Sequence, residues 1–212
     1  MTWGECKLAT LRTMFANEGT ELTVDDSNQE YVNAMPEKAN EALQQLCTVG
    51  RPILKQHIIT VTDDEEATGT VYPTRDGMIK VDLKTVLSDF RAIHQLTVYD
   101  GEDFVDADNY RLEADRYLII PGYAAEYEVT YAAYPQVITA ETTDSTAIDI
   151  APECCVLLPL YMASELYKED ELATATIWRN EFEDGLAKVQ QAYTAQGGGI
   201  IASTRKNTTG WW

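Results

Sequence analysis

The chain opens and closes in a helical rhythm and carries a different one between. Trp3, Leu8, Leu11, Met14 and Phe15 recur at helical intervals, and Thr2 and Glu5 stand in the T-x-x-E spacing of a capping box. This predicts a first helix over Trp3 to Ala16. A polar loop follows from Asn17 to Asp26, and Tyr31, Val32 and Met35 lead into Pro36, a residue suited to a first helical turn. A second helix then places Ala39, Ala42, Leu43, Leu46 and Cys47 on one stripe, with Gly50 as its stop.

From Arg51 the period shortens to two. HIITV (57–61), MIKVDLK (78–84) and YEVTY (127–131) alternate as half-buried strands do, with Ile79, Val81 and Leu83 on one face and Lys80, Asp82 and Lys84 toward water. LTVY (96–99), YRLE (110–113) and YLII (117–120) add strands, divided by turn signals at Asp76-Gly77, Asp100-Gly101 and Pro121-Gly122. Short strands so spaced predict an antiparallel sandwich or barrel.

After a Thr-rich link, TAETTDSTA (139–147), the helical period returns. A third helix is expected over Pro152 to Lys168, kinked at Pro159, with Cys155, Leu158, Met162 and Leu166 on one face. The acidic trio Glu169, Asp170 and Glu171 suits the positive end of a fourth helix, striped by Leu172, Ala175, Trp178, Phe182, Leu186, Val189 and Tyr193. Its roughly 23 residues would measure about 35 Å. The expected fold is α+β: a four-helix bundle from 1–50 and 136–196, a β module inserted at 51–135, and an extended arm at 197–212.

Composition narrows the function. A formal charge of -19, from 35 acidic and 16 basic residues, argues against binding to nucleic-acid phosphates, while a wall of carboxylates lets a duplex pass without adhesion. The amino-terminal stretch lacks the apolar run of a secretory signal, and CCVLLPLYMA (154–163) is too short to span a bilayer, so a soluble, unsecreted protein with no membrane partner is expected. Four cysteines without C-x-x-C spacing read as reduced, packed thiols. His57 and His94 have no nucleophile or ligand partner nearby in sequence, and nucleophile-elbow, phosphate-loop and zinc-protease motifs do not occur. DGEDFVDADN (100–109) departs from the EF-hand order and reads as a solvated hairpin or loop. Neither an enzyme nor a metal or other cofactor is expected.

The tail, QGGGIIASTRKNTTGWW, stands apart: it has no acidic residue in a strongly acidic chain. Gly197, Gly198 and Gly199 read as a hinge, and the thirteen residues beyond could extend about 43 Å at roughly 3.3 Å each. Burying Trp211 and Trp212 yields at most roughly 8 to 12 kcal/mol. Ordering thirteen backbones costs about 13 to 26 kcal/mol. The arm therefore needs further contacts, such as addition to a partner's sheet edge.

The sequence also resembles a known family. Residues 127–186, YEVTYAAYPQVITAETTDSTAIDIAPECCVLLPLYMASELYKEDELATATIWRNEFEDGL, are similar to the head-to-tail connector (adaptor) proteins of tailed bacteriophages. They give strand, Tyr-x-x-Pro, Thr-rich link, LPLYMASELYKEDE and NEFE in the family's order. WGECKLATLRTMF and MPEKANEALQQL resemble the helices ahead of the β insertion. The resemblance implies a structural subunit of a homo-oligomeric ring, usually a dodecamer, in the virion neck between capsid and tail, after assembly in the host cytoplasm. Its partners would be the portal protein, a downstream tail or stopper protein, and genomic DNA passing without specific contact. It further implies that the arm docks on portal: Ile200 and Ile201 as strand residues, Arg205 and Lys206 for an acidic groove, Trp211 and Trp212 as anchors. A β-sandwich recognition module of a phage tail or surface protein, on a helical scaffold, is the other reading these residues leave open.

Overall fold

The computed structural model describes residues 1–15, 24–62, 71–74 and 77–195. These form six α-helices, one π-helical turn and eight strands, divided between two compact units. Among the described residues, one unit comprises Met1–Ile53 and 135–195, and the other Leu54–Tyr134.

In the helical unit, α1 (Trp3–Phe15) begins with a reciprocal cap. The Thr2 amide donates to Glu5 Oε2 at 2.7 Å and the Glu5 amide to Thr2 Oγ1 at 3.2 Å, which satisfies two donors that a helix start leaves unpaired. The second helix, α2 (Gln29–Gln45), starts earlier than expected, so Pro36 lies inside it. Pro36 removes the bond to the Val32 carbonyl, and the helix continues because Met35, Ala39, Ala42 and Leu43 are all buried. It runs into the π turn Leu46–Gly50, closed by the Arg51 amide on the Leu46 carbonyl at 2.9 Å. Gly50 is therefore no left-handed cap. A Cβ there would stand 3.0 Å from Leu186 Cδ1, so the glycine admits a neighbouring helix.

The expected third helix is two: α4 (Pro152–Cys155) and α5 (Leu158–Leu166). Pro159 does not kink a continuous helix. It sits in the first turn of α5, where its missing N–H is not needed. α5 packs against α1, α2 and α6 (Leu172–Ala195). The core joins Trp3, Cys6, Leu11, Met35, Leu43, Leu46, Leu158, Tyr161, Met162 and Phe182. Leu172, expected on the buried stripe of α6, is exposed, since Ala175 is the first residue of this helix to reach the core. The Thr-rich link is more than a connection. Asn40 clasps Ile138 through two 2.8 Å bonds, and the Trp3 and Gly4 amides donate to the Thr146 and Asp144 carbonyls at 2.8 and 2.9 Å.

The second unit holds β1 (Ile53–Val61), β2 (Val71–Pro73), β3 (Met78–Asp82), α3 (Leu83–Val86), β4 (Phe90–Tyr99), β5 (Phe104–Asp106), β6 (Arg111–Glu113), β7 (Tyr117–Pro121) and β8 (Ala125–Ala133). They make two antiparallel sheets, ordered β1-β8-β4-β5 and β2-β3-β7-β6. Among the described residues the sheets are open, so the barrel alternative is overturned: β1, β5, β2 and β6 remain edges. Gly77 (φ 69°) and Gly101 (φ 106°) occupy turn positions that only glycine enters freely. Part of DGEDFVDADN is strand rather than loop, because β5 pairs with the end of β4, Tyr99 opposite Phe104.

Asp82 corrects another expectation. It ends β3 and is 4% exposed instead of facing water. Arg116 Nε and Nη2 donate to its two carboxylate oxygens at 2.8 and 2.5 Å, and the Thr85 hydroxyl donates to Oδ2 at 3.0 Å. This pairing holds the carboxyl down at about 2, chiefly through the Arg116 bonds and against its burial. Lys80 Nζ lies 4.1 Å from the Tyr117 ring centroid and the Arg116 guanidinium 5.1 Å, so the hairpin end that carries Arg116 is held by aromatic contact as well.

Candidate functional site

The arm residues Gly197, Gly198, Gly199, Ile200, Ile201, Arg205, Lys206, Trp211 and Trp212 lie outside the described residues. What the structure describes is the helix that leads to them. α6 is 24 residues long and buries Ala175 and Phe182 fully, with Leu186 and Val189 packed partly buried against the same core. Phe182 meets Tyr161 edge-on, ring centroids 5.0 Å apart. Gly185 lets α6 approach the α4–α5 junction: a Cβ there would come within 2.3 Å of Leu157 Cδ2.

Polar contacts frame this apolar anchor. Arg179 reaches Glu165 and Glu183, both at 2.9 Å, and lies over the rings of Tyr161 and Phe182 at 4.8 and 5.8 Å. Burial opposes the charge, but the bonds to Glu183 and Tyr161 leave the guanidinium above its ordinary pKa. Burial also raises the Tyr161 phenol, which donates to Glu41 Oε2 at 3.2 Å and accepts from Gln45 at the same distance. Further along α6, the Arg51 guanidinium lies 5.9 Å from the Tyr193 ring centroid and pairs with Glu153. The Glu153 carboxyl is lowered by its own backbone amide and then by Arg51.

A groove of about 250 Å³ is lined by Glu30, Tyr31, Ala34 and Lys38 of α2 and by Glu165, Leu166, Glu169 and Asp170 at and beyond the end of α5. Four carboxylates face one lysine there. Tyr31 donates to Asp170 Oδ2 at 2.5 Å, a bond that pushes the phenol up to about 12.

The remaining chemistry-bearing residues are dispersed. His57 is in β1 and His94 in β4. Cys6, Cys47, Cys154 and Cys155 are buried, and none is joined in a disulfide. Burial pushes the Cys6 thiol up to about 12 and Cys154 up to about 11, away from the reactive thiolate. Among the described residues, no group of three or more histidine, cysteine, aspartate or glutamate side chains is arranged to hold a metal ion. Nor is any of their helices long and apolar enough to cross a membrane.

Sequence reasoning did not find the Asp82–Arg116 clasp or the Asn40 bridge. Gly185 was findable, since a glycine inside an otherwise regular helical stripe marks close approach.

What the described residues build is a scaffold: a long helix packed along one stripe, an acidic groove, and sheets with open edges. The family model described as SU10 adaptor protein matches residues 1–203. The chain belongs to the SU10 adaptor protein family, and so to the phage head-to-tail adaptors. Membership implies a structural role, as a virion component that interacts with other head and tail proteins. A comparison with curated proteins finds no match.

Proposed function

We propose that this protein is the subunit of a head-to-tail connector ring that docks on the portal through its C-terminal arm and forms part of the DNA channel between capsid and tail. The observation that carries this reading is the family match over 1–203, which includes α6 and the start of the arm. In this proposal the helices of 1–50 and 136–196 pack as a four-helix body and form the ring, usually a dodecamer. The β module at 51–135 is inserted in the chain between the two helical segments, and residues 197–212 reach the portal. The charge of -19 supports the channel role, because a carboxylate-lined bore offers phosphates no counter-charge to release.

The arm divides its work by chemistry. Gly197, Gly198 and Gly199 give freedom of direction, and Ile200 and Ile201 add to a sheet edge. Arg205 and Lys206 meet an acidic groove, while Trp211 and Trp212 supply the terminal apolar anchor. The ring also receives a tail or stopper protein on its far side, in the virion neck.

The test mixes purified portal with the full chain or with a version ending at Gln196, and looks for ring complexes by native mass spectrometry and electron microscopy. The full chain is expected to assemble on portal and the truncated chain to lose that binding. Equal binding by both would sink the assigned role of the arm.

A further inference from the structure

We infer that the two open edges of one sheet are the two halves of a subunit contact: β1 of one copy receives β5 of the next copy as an added antiparallel strand. This deepens the ring reading and rests on it for one requirement, that each copy offer two unlike surfaces, since a head-to-tail contact of that kind is what closes a ring. Strand direction meets the requirement. The sheet is ordered β1-β8-β4-β5, and among the described residues no strand pairs with the outer side of β1 or of β5. Each of the three pairings from β1 to β5 reverses direction, so the two edges run opposite ways. Copies related by rotation about a ring axis can therefore meet antiparallel, β5 against β1, and the alternation runs on from copy to copy.

The β1 edge suits a strand from another copy. It has nine residues, against three in each of β2, β5 and β6, and contains neither proline nor an acidic residue. Lys55 is already bonded to Asp89 at 2.7 Å. Leu54 and Ile58 are 42% and 50% exposed, on one face with Gln56 and Thr60. A long, apolar edge without such guards is the kind that pairs with another chain. On β5, the Ala107 amide donates to the Leu96 carbonyl at 3.0 Å, which makes Leu96–Ala107 a hydrogen-bonded pair and Thr97–Asp106 a non-bonded one. The Asp106 amide and the Phe104 and Asp106 carbonyls are thus turned to the free side, while the Phe104 amide donates to Asp103 Oδ1 at 2.8 Å.

The faces and charges agree. Gln56 bonds Glu128 at 3.3 Å, Glu128 stands opposite Thr97, and Thr97 opposite Asp106, so Leu54 and Ile58 share a face with Phe104 and Asp106. The contact falls on backbone and on uncharged side chains, with Asp106 already accepting from Gln95 at 2.9 Å. Asp100, Glu102, Asp103, Asp106 and Asp108 crowd the β4–β5 hairpin, and 100–108 holds no cation. Two such hairpins repel each other, whereas β1 brings no acid. Glu128 stands two strand spacings from an added strand, roughly 10 Å, beyond the screened range of about 8 Å.

The test follows self-association of the full chain by sedimentation over a concentration series. Ile58→Glu sets a carboxylate against the acidic hairpin and is expected to weaken association roughly tenfold, whereas Ile58→Lys, which loses the same apolar contact, is expected to match or exceed the native chain. Thermal melts check that both fold. In parallel, Asp106→Cys chains are mixed with Ile58→Cys, Gln56→Cys or His57→Cys chains and oxidised, the native cysteines being buried. Cross-links are expected to position 56 or 58 and not to 57, which faces the other way. A chain monomeric at every concentration, equal weakening by Ile58→Glu and Ile58→Lys, or cross-links of Ile58→Cys chains only to one another, the mark of β1 pairing with β1, would each overturn the inference. Neither edge belongs to the arm, so the two readings fail separately: self-association without portal binding would sink the role of the arm alone, and portal binding without the β1–β5 contact would sink this inference alone.

Discussion

Replacing Phe182 by alanine is expected to free α6 from the helical unit. Phe182 is fully buried and is one of only two such residues in the 24 of α6, the other being the small Ala175. A buried phenylalanine removes about 150 to 250 Å² from water, worth about 4 to 6 kcal/mol at about 25 cal/mol per Å². Phe→Ala substitutions in cores cost about 3 to 5 kcal/mol, and the edge-on contact with Tyr161 adds roughly 1 kcal/mol. About 4 kcal/mol is therefore expected. Domains are stable by only about 5 to 15 kcal/mol, so the loss is a large part of what holds the helix down. Leu186 and Val189, only partly buried, cannot replace the ring. The assay is hydrogen exchange read by mass spectrometry over 172–195, with β4 and β8 as internal reference. Protected amides of α6 should exchange on the order of a thousandfold faster, since about 1.4 kcal/mol is a factor of ten. Phe182→Leu, which keeps most of the volume, should cost about 1 to 2 kcal/mol. The reasoning fails if the alanine variant loses under about 1 kcal/mol, or if α6 and the sheets lose protection equally.

Two further expectations concern the second unit. The turn between β6 and β7 has Ala114 at φ 52° and Asp115 at φ 48°, a left-handed pair that asparagine and glycine fill far better. The double variant Ala114→Asn, Asp115→Gly should gain about 1 kcal/mol in urea unfolding, and a loss would show that the tip is held by contacts of its present side chains. The second concerns acid. The carboxyl of Asp82 is depressed to about 2 from 3.8, so its stabilisation is present above about pH 3.8 and is lost as pH falls through 2. Because the Arg116 partner is 43% exposed, screening reduces the contribution to about 1 kcal/mol. Asp82→Asn should flatten the fall in unfolding free energy between pH 5 and pH 2 by that amount, and an unchanged fall would remove Asp82 as its source.

The helical stripes were legible because amphipathic periodicity survives any detail of packing: Ala175 and Phe182 face the core as the spacing requires, and the Thr2–Glu5 pair caps α1 as its motif predicts. The prolines misled, since a ring without an N–H reports only that one bond is missing. In α2 apolar burial on both sides carries the helix through Pro36, whereas before Pro159 the chain breaks and starts again. Alternation put Asp82 toward water because the pattern knows nothing of Arg116, 34 residues away in sequence. The two bulges of β4 were invisible for a similar reason: they exist only in its register with β8. Of the candidate site, composition alone marked the arm, as the uncharged and then basic end of an acidic chain.

Net charge sets a condition on any assembly of this protein. Each copy carries 19 excess negative charges, and at physiological salt repulsion acts within about 8 Å, the range at which subunits touch. Subunit contacts must therefore be made by uncharged or basic surface. Within the chain, Lys7, Lys38, Arg51, Lys55, Lys80, Arg111, Arg116, Lys168 and Arg179 are already engaged with carboxylates. Lys84, Arg91 and Lys188 are the described cations left without an ion pair, and Arg205 and Lys206 follow them in the arm. Of these, the arm pair stands in a run free of acidic residues. Any contact between identical acidic copies therefore has few cations to draw on, and uncharged surface must supply most of it.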